Sequence, residues 1–116
     1  MLPDKKRFTE TVAQIDQMLH GGQYAELERL SGGKRLTAGQ IKAAIEDYPE
    51  RLAPRPAYDF GEEEIAHVRG RIPAEWSVYL HLWRQKGGRS DLTAELTLID
   101  TPTGLYRVEI DDIHVL

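Results

Sequence analysis

Cysteine is absent from the 116 residues, which excludes disulfides, thiolate nucleophiles, iron–sulfur clusters and cysteine-bearing zinc sites. No apolar run approaches the roughly 20 residues that cross a bilayer. The start Met1-Leu2-Pro3-Asp4-Lys5-Lys6-Arg7 also lacks the apolar stretch of a secretion signal. A soluble, cytoplasmic protein with no membrane partner is therefore expected. Excess basic charge is missing too: fifteen Lys and Arg stand against nineteen Asp and Glu, a net charge of -4. Phosphate contacts need a clustered basic surface, so a nucleic-acid partner is not expected.

Compact chemical signatures are equally scarce. None of His20, His67, His81 and His114 falls in a His-Glu-x-x-His spacing, and no Gly-x-Ser-x-Gly elbow occurs. Gly32-Gly33-Lys34-Arg35 lacks the spacing of a phosphate loop and joins two helical segments, where glycine serves as a cap. Neither a metal nor a cofactor is expected on these grounds.

What is present is a globular composition, 41% hydrophobic and 29% charged. The length suits one domain over residues 1–116, with a helical part over 1–50 and an antiparallel sheet over 58–116. Phe8, Val12, Ile15 and Leu19 form the stripe of an amphipathic helix over about 5–20, ended by Gly21-Gly22. Tyr24, Leu27 and Leu30 mark a shorter helix over about 23–31. Thr37-Ala38-Gly39-Gln40 fits a capping box, Leu36 and Ile41 fit a hydrophobic staple, and Pro49 ends the third helix. Pro54-Arg55-Pro56 predicts a stiff connector.

After residue 60 the apolar period changes from about 3.6 to 2, the signature of strands. Glu64 to Arg69 is a first strand. Trp76, Val78, Leu80 and Leu82 share one face of the next, with Ser77, Tyr79, His81 and Trp83 on the other. Leu92, Ala94, Leu96 and Leu98 continue the apolar face, opposed by Thr93, Glu95, Thr97 and Ile99, and Tyr106, Val108 and Ile110 extend it. Because Ile113 and Val115 break the alternation, a β-bulge at Asp111-Asp112 is expected. The result is an α+β fold: three N-terminal helices packed on a three- to four-stranded antiparallel meander.

Acidity concentrates in the sheet half, where six basic residues face eleven acidic ones, Glu62-Glu63-Glu64 among them; residues 1–57 hold nine and eight. With Leu82 opposite Leu92 and Leu98 opposite Tyr106, the second face would align Tyr79, Glu95 and Glu109 in one row and His81, Thr93 and Asp111 in the next. A histidine beside a carboxylate can act as a general base, which makes His81 with Glu95 the catalytic alternative. The plainer expectation is a polar face used for binding, carried by Tyr79, His81, Trp83, Glu95, Arg107, Glu109 and Asp111. Trp83, Tyr79 and Ile99 are large for a wet face, so partial cover by the chain itself or by a partner is expected.

The stretch Gly88-Arg89-Ser90-Asp91-Leu92-Thr93-Ala94-Glu95-Leu96-Thr97-Leu98 and the ending Ile110-Asp111-Asp112-Ile113-His114-Val115-Leu116 resemble a family of small, mostly uncharacterised bacterial single-domain proteins, with Tyr48-Pro49 as a weaker echo. Helices followed by a long meander also resemble the cone-shaped NTF2-like architecture, which hosts enzymes, ligand binders and non-enzymatic partners alike. In size, acidity and outline the chain is similar to immunity proteins of bacterial toxin systems, which block a cognate toxin without catalysis. The leading expectation is accordingly a non-enzymatic module that docks a basic protein, such as a toxin domain. The alternative is an NTF2-like binder or enzyme with a polar pocket between sheet and helices, lined by Tyr79, His81, Glu95, Arg107 and Glu109. A homodimer formed through the exposed sheet face is a third.

Overall fold

Each apolar stripe of the N-terminal half becomes a helix, and the alternating segments become strands. The structure, a computed structural model, describes residues 1–59 and 64–116, the side chain of Tyr58 apart. The elements run α1 (Lys5–His20), α2 (Tyr24–Ser31), α3 (Ala38–Asp47), β1 (Leu52–Ala53), a 3-10 turn (Ala57–Asp59), β2 (Glu64–Val68), β3 (Glu75–Arg84), β4 (Gly88–Ile99) and β5 (Arg107–Val115). Of the acidic run, Glu62 and Glu63 lie outside the described residues. No helix among the described residues is long and apolar enough to cross a membrane.

Local chemistry explains the helix ends. The Asp4 carboxylate accepts a hydrogen bond from the Arg7 amide at the start of α1, 2.9 Å. Gly32 closes α2 in the left-handed region at φ 76°. At α3 the capping box is complete: the Gln40 amide donates to Thr37 Oγ1 at 3.2 Å, and the Thr37 amide donates to Gln40 Oε1 at 2.9 Å. Replacing Thr37 by alanine removes one half of that exchange and should cost about 1 kcal/mol. Urea unfolding checks this as a lower midpoint at unchanged slope.

The strands form one antiparallel sheet in the order β1-β3-β4-β5, with β2 also pairing with β3. The α+β fold is the one the sequence predicts, with a correction in strand number. Five strands are present among the described residues rather than three or four, because the two-residue β1 pairs Leu52 with Arg84 and Ala53 with Trp83. Two residues carry no periodicity, so no alternation marked them, and the sheet begins ahead of the expected boundary at 58.

Trp76, Val78, Leu80, Leu82, Leu92, Ala94, Leu96, Leu98, Val108, Ile110 and Ile113 point inward and join Phe8, Val12, Ile15, Leu19, Leu27 and Ile41 in one buried cluster. Helices therefore cover the inner face of the sheet, and the alternating residues form its outer face.

The β3–β4 register is the expected one, with Tyr79 opposite Glu95 and His81 opposite Thr93. The β4–β5 register is not: Leu98 faces Val108 instead of Tyr106. Tyr106 is held by α1, since its amide donates to Thr11 Oγ1 at 3.1 Å and its hydroxyl accepts from the Asp4 amide at 2.8 Å. Arg7 secures the same turn by donating to the Gly104 carbonyl, 2.6 Å, and the Thr101 carbonyl, 2.9 Å, while lying 4.2 Å from the Tyr106 ring centre. The offset is two residues, so inward and outward faces are preserved. Further along, Leu96 faces Ile110 and Glu95 faces Asp112, which leaves Asp111 as the extra residue of the expected bulge.

Candidate functional site

The outer face is built in cross-strand rows. One row runs Ala66, Ser77, Thr97, Glu109, the next Glu64, Tyr79, Glu95, Asp112, and a third His81, Thr93, His114. Glu109 therefore sits beside Thr97 and not Glu95, and Asp111 lies away from the His81 row, both consequences of the register offset. Asp111 Oδ2 accepts from Thr97 Oγ1 at 2.6 Å instead. Arg107 is exposed on β5, opposite Ile99.

His81 and Glu95 occupy successive rows and share neither a hydrogen bond nor an ion pair. His81 Nδ1 lies 3.0 Å from Thr93 Oγ1. The Thr93 hydroxyl has one proton, and where it donates to the Asp91 carbonyl at 3.3 Å the imidazole must be the donor to Thr93. Glu95 pairs with His114 and with the Tyr79 phenol. Its hydrogen bond and its charge push that phenol above the ordinary tyrosine pKa, with burial and Glu64 adding to the shift. The general-base pair anticipated from spacing is not assembled.

The polar lining does not fall between sheet and helices. Tyr79, His81, Glu95 and Glu109 alternate with the core residues along their strands, so they must face away from the helices. The space between is filled by side chains such as Leu80, Leu96 and Val12, all at 0% exposure. On the outer face, Glu64, Ile65, Ala66, Ser77 and Tyr79 line an open groove of about 300 Å³.

Trp83 is an anchor rather than a free aromatic. Its indole donates to Asp59 Oδ2 at 2.9 Å, and Arg89 reaches Asp59 Oδ1 at 2.6 Å. Arg55 Nε adds a third contact to that carboxylate at 2.7 Å, so the connector after β1 folds over this end of the sheet.

At the opposite edge, the loop between α2 and α3 delivers two cations to the acidic face. Lys34 lies 3.2 Å from Glu109 and Arg35 lies 3.1 Å from Asp111. Burial nonetheless pushes the Asp111 carboxyl above its ordinary pKa, with Glu109 and Glu95 adding to the rise while Thr97 and Arg35 oppose it.

Glu95, Asp112 and His114 form the densest group. Glu95 Oε2 lies 3.0 Å from His114 Nε2, and Asp112 Oδ2 lies 3.3 Å from Nδ1. One ligand atom from each residue falls within 4.8 Å of the others. Sequence reasoning passed over Asp112 and His114 because it sought helical histidine spacing. The available signal was Asp-x-His on a strand, where i and i+2 share a face.

The family model described as "Domain of unknown function (DUF7668)" matches residues 17–116. The chain belongs to this family. The family region starts inside α1 and extends through β5, so it contains every outer-face residue named above as well as Asp59 and Trp83. Neither a curated protein nor a solved structure matches the chain.

Proposed function

We propose that this chain is a non-enzymatic binding module whose acidic outer sheet face docks a basic protein, a toxin domain neutralised by masking being the partner class. One observation carries the reading. Glu64, Glu75, Glu95 and Asp112 share the outer face, and none of them has a Lys or Arg ion-pair partner among the described residues. Uncompensated like charge across neighbouring strands is unfavourable within the fold. A basic surface seated on this face would relieve it and would be steered there by long-range attraction. The cleft of about 500 Å³ between α1, α3 and β1, lined by Leu19, His20, Ile45, Glu50 and Leu52 among others, contains none of the outer-face residues Tyr79, His81, Glu95, Arg107 and Glu109, which supports assigning those residues to a surface contact.

The natural partner to test is the product of the gene adjacent to this one, copurified with the chain. Its dissociation constant should rise at least about tenfold between about 0.05 M and about 0.5 M salt as screening sets in. Converting Glu95 and Asp112 to lysine together should weaken the complex by about tenfold or more, equivalent to about 1.4 kcal/mol. Affinity indifferent to both salt and charge reversal would count against a docking role for this face. A stable dimer of the free chain that buries the same residues would assign the face to self-association instead.

A further inference from the structure

We propose that Glu95, Asp112 and His114 form a binding site for a first-row transition-metal dication of the zinc class. The site goes beyond the docking reading: it shares Glu95 and Asp112 with it but rests on a different observation, the donor geometry around His114. Its framework is the β4–β5 ladder: Glu95 and Asp112 are direct cross-strand partners, and His114 follows Asp112 by two residues on the same strand. Strand geometry puts all three side chains on the outer face.

Donors bound to one tetrahedral ion at about 2.0–2.2 Å sit about 3.4 Å from one another. Glu95 Oε2, 3.0 Å from His114 Nε2, already meets that spacing, whereas Asp112 Oδ2 lies 3.3 Å from the other ring nitrogen, Nδ1. One imidazole gives a single nitrogen to an ion, so with Nε2 as the ligand the Asp112 carboxylate must rotate toward it, from a set in which one ligand atom of each residue lies within 4.8 Å of the others.

A plain ion pair accounts poorly for the imidazole. His114 Nε2 is shielded from solvent and makes no hydrogen bond, although Glu95 Oε2 is 3.0 Å away. The nitrogen is therefore near the carboxylate without the alignment a hydrogen bond requires. A shielded, unsatisfied ring nitrogen is costly, and a metal on its lone pair would satisfy it. Charge points the same way: two carboxylates face each other across the strands with no Lys or Arg between them, and a dication would neutralise both.

The donor set defines the chemical class. One imidazole nitrogen with two carboxylate oxygens and no thiolate suits zinc, cobalt, nickel, manganese or iron in their divalent states. Calcium wants six to eight oxygens and magnesium a near-ideal octahedron, neither of which this trio provides. Three protein ligands leave at least one coordination position for water or for an incoming side chain.

The test uses the tag-free full chain, stripped of metal and titrated calorimetrically with zinc chloride and cobalt chloride. One saturable site per chain is expected, with cobalt giving visible ligand-field absorption. Glu95→Gln, Asp112→Asn and His114→Ala should each weaken zinc binding at least about tenfold, on the scale seen when groups of a metal site are removed. His67→Ala, on β2, should leave it unchanged. Paramagnetic broadening of the wild-type amide resonances by cobalt should centre on residues 95 and 112–114, a readout independent of how any variant folds. Absence of saturable binding, broadening centred elsewhere, or zinc affinity unchanged in a folded His114→Ala protein would each overturn the assignment.

Discussion

Replacing Asp59 by alanine should destabilise the domain by about 3–5 kcal/mol, the range found when one partner of a buried charge pair is removed. For a chain of this length the melting temperature should fall on the order of 10–20 °C. The Asp59 carboxylate ties its own connector, through Arg55, to the β3–β4 hairpin, through Trp83 and Arg89. Arg55 Nε donates to Oδ2 at 2.7 Å, Trp83 Nε1 to the same oxygen at 2.9 Å, and Arg89 to Oδ1 at 2.6 Å. The Arg55 side chain has no exposed surface at all, so its charge depends on what surrounds it. Its guanidinium also donates to the Asp59 carbonyl at 3.0 Å, and its amide donates to Asp16 Oδ2 at 3.1 Å, which ties the connector to α1.

The same residue shapes the acid limb of stability. Burial alone would raise the Asp59 carboxyl, but hydrogen bonds from Trp83, Arg55 and Arg89, together with the Arg55 charge, outweigh it and hold the pKa at about 2. A carboxyl depressed below its unfolded value stabilises the fold above that value, and the contribution disappears as pH falls through the folded one. Here it amounts to about 2 kcal/mol, lost between about pH 4 and pH 2. Asp16 acts oppositely. Burial raises its carboxyl against the Arg55 amide and the charges of His20 and Arg55, so its contribution is present at low pH and lost as pH rises through the raised value. Denaturant unfolding of wild type and Asp59→Asn across this range should show the stability difference narrowing as pH drops. A gap that stays constant down to pH 2 would remove the titrating role of Asp59.

The second large effect is expected one strand away. Leu96 has no exposed surface and sits on the central strand β4, between Val78 on β3 and Ile110 on β5. Leu96→Ala should cost about 2–5 kcal/mol, because neighbours held on both sides cannot collapse fully into the void. Glu95→Gln, at the adjacent position on the outer face, should cost less than about 1 kcal/mol. The contrast is the useful measurement. A one-residue slip of β4 would exchange the two faces, so comparable losses at 95 and 96 would refute the placement of the helices on the Leu96 side.

Several features were legible because the signal is local. The capping box at Thr37 and Gln40 needs only residues three apart, and the inner face of β3 and β4 needs only alternation. Even the bulge at Asp111 was visible, as a break in parity between Ile110 and Ile113. Other features were hidden because their causes are distant. The β4–β5 register shifted by two residues because Thr11 and Asp4 engage Tyr106 and take its amide out of the ladder. Trp83 was too large for a wet face and cover was expected, but its source, Asp59 reaching the indole from 24 positions upstream, carried no local signal.

The sequence by itself determined which face of each helix and strand turns to the core, because that follows the period of apolar side chains and the period is a property of consecutive residues. Only the tertiary structure decided which outward residues meet. Glu95 joins Asp112 and His114 rather than Glu109 because strand register is set by how the turns are held. Arg7 and Tyr106 hold the last turn through contacts between opposite ends of the chain, and a polar alternation is equally satisfied by any even offset.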